Sequence, residues 1–471
     1  KYSVRSWDIM VGYWLIQFLT VTYDRLVILK SKKYKLKKNK ESSKKFETSK
    51  IPLNSIEARS FFFDHEWNEL FFKQLQYEVN GISTSIVQIP VREINKLRYK
   101  DKIKNTILRI INYFLSLNDK NIDYVISSSG LTNYNLFKFL FNLPGKSLLE
   151  PQFPLSNYCI YESEKRKWNL IIEEKDTDFE RIVKKLIPLW MPLNFVENFN
   201  YLLNKISNQN NLPNYSKVIF STNNHFINDS FKIWTAKQID QGSKLVIGQH
   251  GGGPFQKFNA AIKYEIDISD MYITPGNGNK GNKKYRDVGQ YFAKLEENHW
   301  DAKGVALIVS NIFPMYVFEL RSMASANNMN SYLNDQFIFY KNLPNDIKEK
   351  TIVRLPIVSN KDDYGWKIKD RWIKKFNQIK IENQSISLKE SVKKCRVLIH
   401  TTNSTTYNES LAANIPTIVF WDENYWKFED YVNFDISLLK SVGIFHETPD
   451  SAAKHLKKIW NTVSEWWLSN D

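Results

Sequence analysis

The chain has 471 residues, 42% of them hydrophobic and 25% charged, which is enough for two or three separate cores and ordinary for a globular protein. A formal charge of +16 suggests an anionic partner (phosphorylated substrate, membrane headgroup or nucleic acid) without choosing among them. With Cys159 and Cys395 as the only cysteines, a disulfide framework is excluded and a reducing cytoplasm fits.

The apolar stretch "WDIMVGYWLIQFLTVTYDRLVIL", Trp7 to Leu29, has helical periodicity, but Gln17 and Tyr23-Asp24-Arg25 interrupt it. Its continuous apolar part falls short of the ~20 residues of a spanning helix, so a buried or interfacial helix is expected. The lysine-rich run from Leu29 to Lys50 reads as a basic loop, either solvated or resting on an acidic surface. In "SIEARSFFFDHEWNELFFKQLQYEVN" the aromatics recur at helical spacing and belong to a core, with Asp64-His65 as a cap. Helices are also expected over Lys102 to Leu117 and Phe179 to Ser207.

Then the texture changes. "KVIFST", "KLVIGQ", "MYITPG", "GVALIVSN", "TIVRLPI", "RVLIHTT" and "PTIVFW" are short apolar runs bounded by turn signals, with helix-length stretches between several of them (Asn228 to Asp240, Asn334 to Leu343, Thr405 to Ala413). Strand alternating with helix predicts parallel α/β layers. A Gly/Asn/Lys-rich seam at Gly276 to Asp287 divides them into an N-terminal α/β domain over 1–288 and a second over 289–449. A final helix over 450–471 is expected to cross back to the first domain. Ligands of such sheets bind outside the carboxyl ends of the strands, here in a cleft between two domains.

Two loops at strand ends carry the chemistry. In "VLIHTTNSTTYNESLAANIPTIVFWD" a buried strand runs into Thr401, Thr402, Asn403, Ser404, Thr405 and Thr406 and then a helix. Hydroxyls and free N–H groups at a helix start favour phosphate or carboxylate. Thr406 with Glu409 also fits a capping box, but a cap needs one hydroxyl or amide and the loop offers six; Glu409 would otherwise accept from ribose hydroxyls. In "KLVIGQHGGGPF" a strand ends at Gln249-His250, and Gly251, Gly252 and Gly253 let a backbone approach a ligand beside that histidine, a general base or a cationic phosphate partner. Asn223 and His225 end another strand, Glu265 and Asp270 are rival bases, and Arg354 on an apolar strand awaits a phosphate or a structural carboxylate. No Walker loop, dinucleotide fingerprint, HExxH, CxxC or nucleophile elbow is present, and no metal site or cofactor is expected.

"YSVRSWDIMVGYWLIQFLTVTYDR", "GQHGGG" with "EIDISDMYITPG", "NSTTYNESLAANIPTIVFWD" and "VGIFHETPDSAAKHLKKIW" occur in this order. In them the chain resembles the transferases of surface-carbohydrate (O-antigen) biosynthesis along nearly its whole length. The resemblance implies a GT-B-like α/β fold, two Rossmann-like domains facing a cleft with extra N-terminal helices, and a metal-independent glycosyltransferase. The implied donor is a nucleotide-sugar, with a CMP-activated acidic sugar as the expected form, and the acceptor a surface glycan or lipid-linked chain. Ser404, Thr405, Thr406, Thr402, Asn403, Arg354 and the glycine loop would hold the donor, Glu409 its ribose, and His250, Glu265 or Asp270 would serve as base. A CDP-dependent polyol-phosphate transferase and a noncatalytic glycan or membrane-surface binder are the alternatives; nucleic acid is not an expected partner. The implied place is cytoplasmic, peripheral on the inner face of the membrane. This chain departs from the family's pattern in "ITPGNG", where a tryptophan-rich end is usual, and in lacking an N-terminal portion with its own strand and a Gly-x-Trp motif, which implies an incomplete acceptor-side sheet.

Overall fold

The computed structural model describes residues 2–31, 45–47, 50–80, 85–87, 121–131, 136, 138, 142–156, 159, 161–251, 255–276, 281–289, 295–326, 328–356, 363–383 and 385–469. The expected helix over Lys102 to Leu117 and most of the basic run lie outside them. Two compact units form: Lys1–Gln249 with Ala260–Ile273 and Val317–Leu320, and His250–Asn259 with Thr274–Tyr316 and Arg321–Asp471. Where one boundary near residue 288 is expected, the chain thus passes between the units several times.

In the first unit the chain is helical from Val4 to Lys30, with a π turn at Asp8–Gly12 leading into α1 (Tyr13–Lys30). Of the polar residues that interrupt its apolar run, Gln17 and Arg25 are buried, at 2% and 0% exposed, while Tyr23 faces outward at 57%. The Arg25 guanidinium donates to Asn68 Oδ1 at 2.8 and 3.0 Å, to Asp24 at 2.8 Å and to the Val317 carbonyl. A buried cation is tolerated only when paired and hydrogen-bonded in this way. Among the described residues, no helix is long and apolar enough to cross a membrane. Next come α2 (Ser55–Phe61) and α3 (His65–Val79), capped by Asn54 and Asp64, whose carbonyl and carboxylate oxygens accept the N–H of Glu57 and Trp67 at 2.9 and 2.7 Å. The single helix expected over Phe179 to Ser207 is two, α4 (Asp178–Trp190) and α5 (Phe199–Ser207). Pro192 drives Met191 out of the helical region and ends the first of them.

The first sheet consists of β1 (Asn121–Ser127), β2 (Ser147–Leu149), β3 (Tyr215–Ser221), β4 (Lys244–Gly248), β5 (Met271–Thr274) and β6 (Tyr285–Asp287), in the order β2-β1-β3-β4-β5-β6. It is parallel from β2 through β5. Helix α6 (Asp229–Asp240) joins β3 to β4 and α7 (Ala260–Ile268) follows the loop after β4. A separate parallel pair joins Lys45–Glu47 to Ser85–Val87.

The second unit repeats the plan with β7 (Val305–Val309), β8 (Thr351–Arg354), β9 (Lys380–Ile381), β10 (Cys395–His400), β11 (Thr417–Phe420) and β12 (Phe445–His446), in the order β9-β8-β7-β10-β11-β12, all parallel. Every residue of β10 and β11 is buried, as expected of central strands covered on both faces. Its helices include α8 (Asn328–Lys341), α9 (Thr405–Ala412), α10 (Pro449–Ile459) and α11 (Val463–Trp467). The chain leaves β7 toward one edge and returns at β10 on its other side, so the carboxyl ends of β7 and β10 are a topological switch point, where α/β sheets hold ligands. Helices α10 and α11 pack within the second unit. There the Trp466 and Trp467 N–H groups donate to the Val442 carbonyl and Asn414 Oδ1, each at 3.0 Å. Arg396 lies 4.2 Å over the Trp460 ring and donates to its carbonyl at 2.7 Å.

Candidate functional site

The hydroxyl-rich loop sits at the switch point of the second sheet. Thr401, Thr402 and Asn403 are 1%, 3% and 3% exposed, whereas Ser404, Thr405 and Thr406 are half-buried. The Tyr332 hydroxyl on α8 accepts the Asn311 N–H at 2.7 Å and lies 2.8 Å from Thr401 Oγ1, which in turn donates to the Val309 carbonyl at 3.2 Å. These bonds tie the end of β7 to the end of β10. Helix α9 begins two residues earlier than the capping-box pattern implies: its N-cap is Ser404, not Thr406, and the Ser404 side chain makes no capping bond. Thr406 is therefore inside the first turn and Glu409 beyond it, so the box geometry is not formed. The helix start keeps its positive end without the local side-chain oxygen that usually answers it.

Asn403 is the most informative residue of the loop. Both its amide nitrogen and its amide oxygen are buried and find no hydrogen-bond partner among the described residues. A buried amide in that state costs about 1–3 kcal/mol, and native structures rarely leave one unexplained.

The residues 250–259 belong to the same unit and reach this loop. Gly251 has φ +126°, and a Cβ built on it would stand 2.3 Å from Thr405 Oγ1. Only glycine fits both the conformation and the gap. Beyond it, the Phe255 carbonyl accepts the Glu429 N–H at 2.8 Å, the Lys257 N–H reaches the Lys427 carbonyl at 2.9 Å, and the Lys257 ammonium pairs with Asp430 at 2.8 Å. Gln256, 6% exposed, donates to the Asn403 carbonyl at 3.4 Å and accepts from Asn259 at 3.3 Å. His250 is exposed and immediately precedes Gly251, so its ring is one residue from the Thr405 contact. Gly252 and Gly253 lie outside the described residues.

The other sequence-selected residues are placed elsewhere. His225 Nε2 is 2.8 Å from Glu265 Oε1, and the Tyr272 hydroxyl donates to Glu265 Oε2 at 2.9 Å; the three are 0%, 3% and 1% exposed. Burial, then the nearby Lys232 charge, push His225 down to about 3, so it bonds to Glu265 as a neutral ring. Asp270 lies at the amino end of β5, bound by Arg5 at 2.6 Å and by the Leu245 N–H at 2.9 Å. Burial raises its pKa, but the Arg5 guanidinium and that N–H outweigh it and hold it below the usual carboxylate range. Within the first unit this is the edge of β4 opposite Gln249, which is buried and bonded through its N–H to the Ile273 carbonyl at 2.9 Å. Asn223, half-buried, follows β3 and donates its N–H to Ser221 Oγ at 3.3 Å. Arg354 is matched by Glu382, with the Ile386 carbonyl at 3.0 Å and Ser391 Oγ at 3.3 Å, so a structural carboxylate already answers it. The structure thus brings together His250, Gly251 and the residues 401–406. It adds Gln256 and Tyr332, for which the sequence gives no signal beyond an amide after an aromatic and a tyrosine at core spacing. Among the described residues no group of three His, Cys, Asp or Glu side chains is arranged to hold a metal ion.

A family model described as LIC12162 family transferase matches residues 1–471. The chain belongs to this family. No curated protein matches it. Of solved structures, one is a Listeria monocytogenes protein provisionally described as a UDP-N-acetylglucosamine 2-epimerase, at 10% identity over 57% of this chain and 70% of that one, with a TM-score of 0.36. Others are the spinosyn rhamnosyltransferase SpnG bound to its aglycone (11% identity, 57% and 70% covered, TM-score 0.28) and a UDP-forming α,α-trehalose-phosphate synthase from Burkholderia xenovorans with glucose-6-phosphate (8%, 61% and 71%, 0.32). Likenesses of this size carry no statement about the chemistry of the family member described here.

Two predictions follow from the geometry of this LIC12162 family transferase. Replacing Gly251 with Ala imposes both a left-handed strain and a clash with Thr405; the expected loss is about 1–3 kcal/mol in denaturant titration, of which Thr405→Ala in the same chain recovers only the clash. His225 and His400, the latter bonded to Ser410 at 3.0 Å, are each lowered by burial from 6.5 to about 3. Between those values the unfolded chain binds protons that the fold refuses, so stability falls as pH drops from 6.5 toward 3. Urea midpoints measured across that range should decline, and His400→Gln should flatten the slope.

Proposed function

We propose that this transferase is a glycosyltransferase that takes a sugar from a nucleotide-activated donor at the loop 401–406. The observation that carries the reading is the buried Asn403 amide, with donor and acceptor both unpaired, beside a helix start whose N-cap side chain makes no capping bond. A nucleotide phosphate suits the helix end and the hydroxyls of Ser404, Thr405 and Thr406. An amide that donates and accepts suits a sugar or ribose hydroxyl. Thr402 lies in the same loop, and in this reading Glu409 accepts from the ribose hydroxyls.

His250 is the base of this reading. An acceptor hydroxyl attacks the anomeric carbon, the sugar–phosphate bond breaks with its electron pair leaving on the phosphate, and the acceptor's proton passes to the imidazole. Support for His250 comes from its exposure, whereas Glu265 is buried in the core and Asp270 lies at the amino end of β5. The segment Thr401 to Glu409 contains no lysine or arginine. A neutral cradle of N–H groups and hydroxyls favours a single, singly charged phosphodiester, as in a CMP-activated acidic sugar, over a diphosphate. The acceptor of this reading is a surface glycan or lipid-linked chain.

Calorimetry with CMP, CDP, UDP and GDP tests the donor site. Asn403→Leu should weaken the best-bound nucleotide by about tenfold or more while leaving the denaturation midpoint unchanged or higher, because an unpaired buried amide has been removed. Equal binding by variant and parent would sink the reading, and CDP binding far tighter than CMP would turn it toward polyol-phosphate transfer.

A further inference from the structure

The end of β7 carries a buried hydroxyl that the donor-site reading leaves unused. Ser310, the residue after β7, is 5% exposed, and its Oγ finds no hydrogen-bond partner among the described residues. Strands β7 and β10 pair with Val309 opposite His400, so Ser310 and the loop 401–406 leave neighbouring strands at the switch point. The backbone there is fixed, the Ser310 N–H donating to the Arg354 carbonyl at 3.0 Å. The Tyr332 hydroxyl lies beside Ser310 without answering it. That hydroxyl accepts the Asn311 N–H and gives its proton to Thr401 Oγ1, whose own proton goes to the Val309 carbonyl.

Ser310 and Asn403 form a matched pair at this junction: one hydroxyl and one amide, both uncharged, both able to donate and to accept, both buried and unbonded. An unpaired buried polar group is costly, and two on adjacent strand ends call for a ligand that pairs with each. The aromatic rings here are committed to the core. Phe313, Tyr332 and Trp426 pack on one another at 5.5 to 5.9 Å, and Trp421 packs on Tyr407, Phe428 and Phe445. Recognition at the pair is therefore by hydrogen bonds and not by stacking of a base. Asn403 immediately precedes Ser404, the N-cap of the helix start that suits the phosphate, so its ligand group is one joined to that phosphate. A ribose is such a group, and its two neighbouring hydroxyls, held on one side of the ring, each donate and accept.

We infer that Ser310 and Asn403 together hold the 2′- and 3′-hydroxyls of the donor's ribose, which makes Ser310 a specificity-determining residue that selects ribonucleotide over deoxyribonucleotide donors. The inference rests on the donor-site reading, and its test separates the two. A deoxyribose leaves one member of the pair buried and unpaired, and a site built to bond a hydroxyl rejects the analogue that lacks it. Calorimetry of the full chain with the best-bound ribonucleotide and with its 2′-deoxy and 3′-deoxy counterparts tests this. The parent should bind the ribonucleotide about tenfold or more tightly than either counterpart. Ser310→Ala should weaken the ribonucleotide by about tenfold and abolish discrimination against one of the two deoxynucleotides, with the thermal midpoint unchanged or higher because an unpaired hydroxyl has been removed. The inference is overturned, and the donor site kept, if the parent binds a deoxynucleotide as tightly as the ribonucleotide or if Ser310→Ala retains the parent's affinities. A variant that weakens only nucleotide-sugars, not free nucleotides, also overturns it by moving Ser310 to the transferred sugar. A parent that binds no nucleotide of either kind removes the donor site and this inference with it.

Discussion

Gly251 lies so close to Thr405 that a single added carbon would stand 2.3 Å from the threonine hydroxyl. This contact decides where the glycine loop belongs. With it, Gly251 meets the loop after β10, and the same segment pairs with the chain after β11 through Phe255 and Lys257. Without it, His250 would have no fixed relation to the hydroxyls of 404–406. The glycine is there to bring two backbones together, and the functional loop is built from that closeness.

Around the contact, polar groups divide into those the protein satisfies itself and those it does not. Arg25 and Arg354 are answered by neighbours, and His225 Nε2, Glu265 and Tyr272 answer one another, as buried charges must be. At the switch point of the second parallel sheet the Asn403 amide is buried with neither atom paired among the described residues, and Ser310 Oγ, just after β7, is buried and unpaired as well. Local stability is the cost, and that is the kind of cost expected where a ligand completes the structure.

Much of the architecture was legible because it depends on short-range pattern. All seven apolar runs form strands, and Thr405 to Ala413 differs from the observed α9 by one residue. Strands such as Ser147–Leu149 and Lys380–Ile381 were not, being two or three residues long, and Asn121–Ser127 hides its pattern behind Asp123. Side-chain direction was the harder part. His225 and Asn223 share one polar strand end, yet the first is sealed in the core and the second half-buried, and no periodicity at a loop distinguishes them. The same limit applies to Arg354, whose carboxylate partner Glu382 is distant in sequence, and to Thr406, whose box fails because the helix starts two residues sooner. Gln256 reaches the Asn403 carbonyl from a loop whose course no local sequence pattern specifies.

The central claim is that the residues 250–259 and the hydroxyl loop act as one ligand site. Hydrogen exchange read by mass spectrometry, with and without the best-bound nucleotide, tests it most directly. The account predicts slower exchange in peptides covering 250–259 and 401–409 together, with little change around Asp270 or Arg354. Protection of either segment alone, or of neither at saturating nucleotide, would contradict it.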